Sequence, residues 1–201
     1  MKPLLIAEVK TKSPFGFKSK LSWDALFEIA NEHGDWLSIH TDPRWGGSIA
    51  AVRRARAATH KPILAKGMHA TDRGIVDAIE AGATYVLTVG RFPVRYARWV
   101  LFEPSGLHDL LILRDASRLG LIDEADVCAL WNQRDLLTGE PKRKMYSSAR
   151  VMWPKVWLCQ ASMIRNPADV HPGANAVLVG EHLPEYCRAL TCSSTAQTSP
   201  T

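Results

Sequence analysis

Glu8 and Lys10 close the run LLIAEVK two residues apart. Strand side chains alternate, so both fall on the face that carries Leu4 and Ile6, which should be buried. The same alternation places Lys66 of PILAKG, Glu103 of WVLFEP, Asn132 after DVCALW, and Gln160 with Ser162 of VWLCQAS on inward faces near the strand ends. An ammonium desolvated beside carboxylates can act as proton donor and as electrostatic stabiliser. Burying several such charges without compensation costs several kcal/mol each. Convergent strand ends of this kind therefore imply either close pairing, such as a structural Glu8 to Lys10 ion pair, or a site that uses the charges.

The elements that must position these groups are legible as a repeated alternation. Apolar β-type runs at LLIAEV, WLSIHT, PILAKG, TYVLTVG, WVLFEP, DVCALW, VWLCQAS and AVLVGEHL are separated, in several places, by amphipathic stretches such as WDALFEIANEHG, IAAVRRARAATH, DRGIVDAIEAGA and GLHDLLILRDASRLG. Strands alternating with helices imply parallel pairing and right-handed crossovers. Eight runs predict an α/β fold, a (β/α)8 barrel, with an open doubly wound sheet as the alternative. In a barrel the site forms at the C-terminal strand ends, where the polar residues lie.

The barrel must be compact, because such folds typically take about 250 residues and this chain has 201. Only RFPVRYAR separates the fourth and fifth runs, which is short of the usual minimum of about 10 to 12 residues for a crossover helix. MIRNPADVHPGAN and PEYCRAL, on either side of the last strand, are also brief, and GEPKRKMYSSAR reads as a mobile basic loop leading into a poor helix. One domain is expected over residues 1–190. The small polar segment TCSSTAQTSPT, residues 191–201, is expected to be a disordered tail.

Composition narrows the class. The chain is 46% hydrophobic and 22% charged, as for an ordinary globular protein. No apolar run approaches the roughly 20 residues of a membrane span, and MKPLLIAEVK acquires charge too early for a signal-peptide core; a cytoplasmic location is expected. Cys128, Cys159, Cys187 and Cys192 show no metal-ligand spacing, so neither metal nor disulfide is expected. The net charge of +5 is dispersed rather than gathered into a stripe with interleaved aromatics. This points away from nucleic acid and is met as well by a small anionic substrate.

The residues also resemble a known family. IAEVKTKSP is similar to the IAEIKRASPS first strand of indole-3-glycerol phosphate synthase, and the stretch from HTDPRWGGS to EAGATYVL resembles its second to fourth units. LWNQRDL resembles INNRDL, SMIRNPADV resembles SGIRTPEDV, and NAVLVGEHL resembles DAVLVGESL, so the likeness runs in order over residues 4–184. It implies closure of the indole ring of 1-(2-carboxyphenylamino)-1-deoxyribulose 5-phosphate with loss of carbon dioxide and water, by a lyase that needs no cofactor. By resemblance, Lys66 is the catalytic acid, Glu103 a base or proton shuttle, Lys10 a holder of substrate anion and Glu8 the residue that orients the lysines. Asn132, Arg134, Trp45 and Ser13 are implied substrate contacts, although Arg134 could equally be a loop charge and Trp45 a packing residue. Ser162 and the backbone around Gly180 and Glu181 match the phosphate cradle.

Three departures stand out. The family's SESG reads QASM, Gln160 to Met163, when IRNPADV is kept in register, so that Ala161 takes the place of a carboxylate and Met163 that of a glycine; a shift by one puts Gln160 there instead, and neither register restores the carboxylate. KDF has become KGM, and no counterpart of the family's N-terminal helical extension is expected. A silent or retuned paralogue that binds a related phosphorylated substrate or a protein partner is therefore the alternative reading. A homo-oligomer or a partner covering the barrel mouth is also expected as an option.

Overall fold

The computed structural model describes residues 2–142 and 145–195. Eight parallel strands close in sequence order into one barrel: β1 (Leu4–Val9), β2 (Trp36–His40), β3 (Ile63–Lys66), β4 (Tyr85–Val89), β5 (Val100–Glu103), β6 (Cys128–Asn132), β7 (Trp157–Ala161) and β8 (Ala176–Val179). Closure is made by β1 against β8, with Leu4 opposite Ala176 and Ala7 opposite Val179. That pairing excludes the open sheet.

The helices form where the amphipathic stretches lie. α1 (Trp23–His33), α2 (Ile49–Ala58) and α3 (Asp72–Glu80) each begin at a hydroxyl, Ser22, Ser48 and Thr71, whose side chain accepts a main-chain N–H of the first turn. Such a cap satisfies a donor that has no partner within the helix. α4 (Leu107–Arg118), α5 (Tyr146–Met152) and α6 (Leu183–Thr195) complete the outer layer. The economical crossovers are as the sequence suggests: a 3-10 segment, Val94–Trp99, joins β4 to β5, and a 3-10 turn, Pro167–Asp169, joins β7 to β8.

Two expectations are corrected. α6 continues to Thr195, so the tail does not begin at 191; residues 196–201 lie outside the described residues. Within the mobile-loop prediction, positions 143 and 144 lie outside them too. The second correction is that Gln160 faces outward. Its amide donates to the Asp169 carbonyl at 3.0 Å and accepts from the His171 N–H at 2.8 Å, so it fastens the short β7 to β8 crossover. Ala161 takes the inward position instead.

Two apolar layers hold the frame. The outward faces of the strands pack on the helices through residues such as Leu26, Phe27, Val52, Ile75 and Leu110. The barrel interior is filled by Ile6, Leu64, Leu87, Leu101, Leu130, Cys159 and Leu178. Trp36 stacks on Tyr85 and Trp157 at centroid distances of 4.4 and 5.5 Å, on the level of the interior where the strands begin. This filling leaves polar side chains one opening, at the C-terminal strand ends.

Candidate active site at the barrel mouth

A cavity of about 550 Å³ occupies that end. Its floor is charged. Glu8, 2% exposed, receives the Lys66 ammonium on Oε1 at 2.6 Å, while Lys66 keeps 13% of its side chain exposed to the cavity. Glu8 is not paired with Lys10. Lys10 follows the last residue of β1 and reaches the carboxylate of Glu181 at 2.8 Å, beyond the end of β8. The pair implied by sequence spacing is thus divided between two partners from other strands.

These arrangements set the protonation states. Burial alone would raise the Glu8 carboxyl, but Lys66, His40 and Lys10 hold it well below its ordinary value. Burial would lower the Lys66 ammonium, yet the Glu8 and Glu103 carboxylates carry it above the usual lysine range. Glu103 goes the other way: burial lifts its carboxyl, and the opposing effects of Lys66, the Asn132 amide and Lys142 do not bring it back. The two glutamates of one cavity are therefore pushed apart, one fixed as the anion and one made a stronger base. This division suits one group to electrostatic support and the other to proton transfer.

Glu103 is held by a relay of hydrogen bonds. The Asn132 amide donates to Glu103 Oε1 at 2.9 Å, and Asn132 Oδ1 accepts from the Ser162 hydroxyl at 2.6 Å and from the Arg134 N–H at 3.0 Å. These two donors fix which end of the Asn132 amide faces Glu103. Gln133, buried beside it, donates to the Ser162 carbonyl at 2.9 Å and ties β6 to the turn after β7. Ser162 and Met163 have φ of 66° and 58°. Left-handed backbone at two consecutive side-chain-bearing residues is strained, a feature that concentrates at functional sites.

Of the residues singled out from sequence, Glu8, Lys10, Trp45, Lys66, Glu103, Asn132, Arg134, Ser162, Gly180 and Glu181 all line the cavity. Ser13 does not. Its hydroxyl accepts the N–H groups of Phe15 and Phe17, both at 3.3 Å, and shapes the loop after β1. Phe15 reaches the mouth instead, edge-on to Trp45 at 6.4 Å. Gly180 permits the closest approach in the site, since a Cβ there would fall on Glu8 Oε2.

His40 is the residue that sequence reasoning passed over. It is 5% exposed, with Nε2 3.0 Å from Glu8 Oε1 and its ring parallel to Trp45 at 5.7 Å. The available signal was parity: Trp36, Ser38 and His40 share the inward face of β2. Among the described residues no His, Cys, Asp and Glu cluster has the arrangement of a metal site, and no helix is long and apolar enough to cross a membrane.

Known proteins give the arrangement a context. The family model for indole-3-glycerol phosphate synthase matches residues 1–187. An indole-3-glycerol phosphate synthase of Leifsonia xyli is 30% identical over 198 residues, covering 89% of this chain and 74% of that protein. Its counterpart in Beutenbergia cavernae is 31% identical, with 89% and 71% covered. A Streptomyces coelicolor protein named indole-3-glycerol phosphate synthase 1 is 29% identical over the same shares.

Proposed function

Because the chain belongs to the indole-3-glycerol phosphate synthase family, we propose that its barrel mouth converts 1-(2-carboxyphenylamino)-1-deoxyribulose 5-phosphate to indole-3-glycerol phosphate, a step of tryptophan biosynthesis in the cytoplasm. The observation that carries the reading is Lys66: an ammonium at the cavity floor, 2.6 Å from the buried Glu8 carboxylate and partly open to a cavity that Glu103 also lines.

The chemistry maps onto the geometry. Lys66 gives its proton to the ketone oxygen as the aromatic carbon bearing the carboxylate attacks the ketone carbon and a carbon–carbon bond forms. Charge that would build on that oxygen is neutralised as it develops. Loss of carbon dioxide returns the electron pair to the ring and restores aromaticity. The hydroxyl formed from the ketone takes a proton from Lys66, recharged from solvent through the open cavity, and leaves as water, while Glu103 removes the proton from the adjacent methylene to complete the pyrrole. A carboxyl raised by burial is suited to that removal because a base is most effective when its pKa approaches the working pH.

Binding falls to the rim. Lys10 and Arg134 supply positive charge for the substrate's anionic groups. The turn at Ser162 with the backbone at Gly180 and Glu181 receives the phosphate, and Trp45 faces the aromatic ring. Ala161 leaves an apolar patch between Asn132 and Leu178, so Glu103 is the carboxylate assigned to proton removal. Incubation of the purified protein with the carboxyphenylamino substrate tests the proposal: indole fluorescence should appear with equimolar carbon dioxide. Saturable substrate binding with neither product would overturn it in favour of a silent barrel.

A further inference from the structure

Glu8 Oε1 stands between two nitrogens, Lys66 Nζ at 2.6 Å and His40 Nε2 at 3.0 Å. The lysine is in good hydrogen-bond alignment and the histidine is not: both His40 ring nitrogens are buried without an aligned partner among the described residues. A buried polar atom left without its hydrogen bond is costly and uncommon in a folded protein. The ring is otherwise well placed. It is stacked on Trp45 at an interplanar angle of 8°, and its main-chain carbonyl accepts the Ser48 N–H at 3.0 Å.

We propose that His40 is a positioning residue that takes over the Glu8 carboxylate when Lys66 turns to the substrate, an inference that rests on the reading of Lys66 as the proton donor. The lysine cannot give its proton to a ketone oxygen while it is held at 2.6 Å by Glu8. When it leaves, Glu8 remains a buried anion and needs another donor. Lys10 is engaged with Glu181, and the ion pairs of Glu8 among the described residues are those with Lys66 and His40. A small rotation of the imidazole brings the Nε2–H into line with Oε1.

The exchange conserves charge. Burial keeps His40 neutral, helped by Lys66 and Lys10 and opposed by Glu8. The charged groups that bear on it are Glu8, Lys66 and Lys10 from the cavity and Asp42 from the turn after β2. A neutral imidazole donates its N–H without giving up the proton. The single proton transferred therefore passes from Lys66 to the ketone oxygen, and Glu8 stays ionised throughout.

Two measurements test the proposal, one through catalysis and one without it. Turnover of the carboxyphenylamino substrate is followed against pH in the parent, His40→Leu and His40→Gln, where the glutamine Nε2 restores an N–H near the position of the imidazole Nε2. His40→Leu should lower kcat on the order of tenfold or more with little change in KM, as for loss of one hydrogen bond to a charged group. His40→Gln should recover most of that loss. Equal turnover in the two variants, whether high or low, would overturn the exchange. The second measurement is the nitrogen-15 NMR spectrum of the His40 ring in the parent and in Lys66→Met. With the lysine gone, the Nε2–H should move downfield as it takes the carboxylate, and an unchanged signal would overturn the proposal even if the family reaction proved absent.

Discussion

Replacing Glu8 by Gln removes one negative charge from the barrel floor while keeping nearly the same volume. The Lys66 ammonium then loses its 2.6 Å partner in a site where Glu8 is 2% exposed and Lys66 retains only 13% of its side-chain exposure. Breaking a buried ion pair from one side typically costs about 3 to 5 kcal/mol. A second route gives a similar ceiling: a lysine that sheds its proton at pH 7 from an ordinary pKa near 10.4 pays about 4.6 kcal/mol, at about 1.36 kcal/mol per unit. Glu103 remains as a nearby anion and Lys66 has some access to the cavity, so the lower end, about 3 kcal/mol, is expected.

The assay is urea unfolding followed by tryptophan fluorescence, for which the chain's 7 tryptophans serve. With a urea slope of about 3 kcal/mol/M, the midpoint should fall by about 1 M. The pH dependence adds a sign. Because the folded Glu8 carboxyl is lowered, its contribution is complete above the unfolded value of about 4.3 and is lost as pH falls through the folded value. Lys66, raised when folded, contributes fully below about 10.4 and loses that contribution as pH rises through its higher folded value. The gap between parent and Glu8→Gln should therefore persist across neutral pH and narrow in acid below about 4.3. A midpoint that moves by less than about 0.2 M at pH 7 would show that the pair does not hold the floor together and would refute the reasoning.

Gly180→Ala should displace the Glu8 carboxylate, because the new Cβ falls on Oε2; urea unfolding should show a loss of about 1 to 3 kcal/mol, and turnover should fall with it. Ser162→Asp sets a carboxylate beside the proposed phosphate position and against Asn132 Oδ1, where the hydroxyl now donates at 2.6 Å. Calorimetric titration with inorganic phosphate should show affinity reduced by roughly tenfold or more. Ala161→Glu restores a carboxylate on the inward face of β7, and turnover of the carboxyphenylamino substrate should rise, with a fold check by circular dichroism; a well-folded variant whose activity falls at every pH would point to a different phosphorylated substrate.

Strand alternation made the floor legible where one face of a strand ended in a charge, as for Glu8, Lys66 and Glu103. It failed at β7. There Leu158 on the outer face and Trp157 and Cys159 on the inner one are all apolar, as in any strand of a covered parallel barrel, so hydrophobicity does not fix the parity that turns Gln160 outward. His40 was hidden for a related reason: a lone imidazole in WLSIH gives no sign of Glu8, which comes from a neighbouring strand. The pairing of Lys10 with Glu181 spans 171 residues and depends on barrel closure, which no local pattern encodes. α6 outran its prediction because packing of Leu183, Tyr186, Cys187 and Leu190 at helical spacing outweighs the weak propensity of the following Thr, Cys and Ser.

The most direct test of the central claim compares the parent with Lys66→Met in single turnover of the carboxyphenylamino deoxyribulose phosphate, with indole fluorescence as the readout and binding of inorganic phosphate as the control. The account predicts product from the parent, none above background from Lys66→Met, and phosphate affinity within about twofold in the two proteins. Equal product formation by the two would contradict it, since the acid would then reside elsewhere than on Lys66.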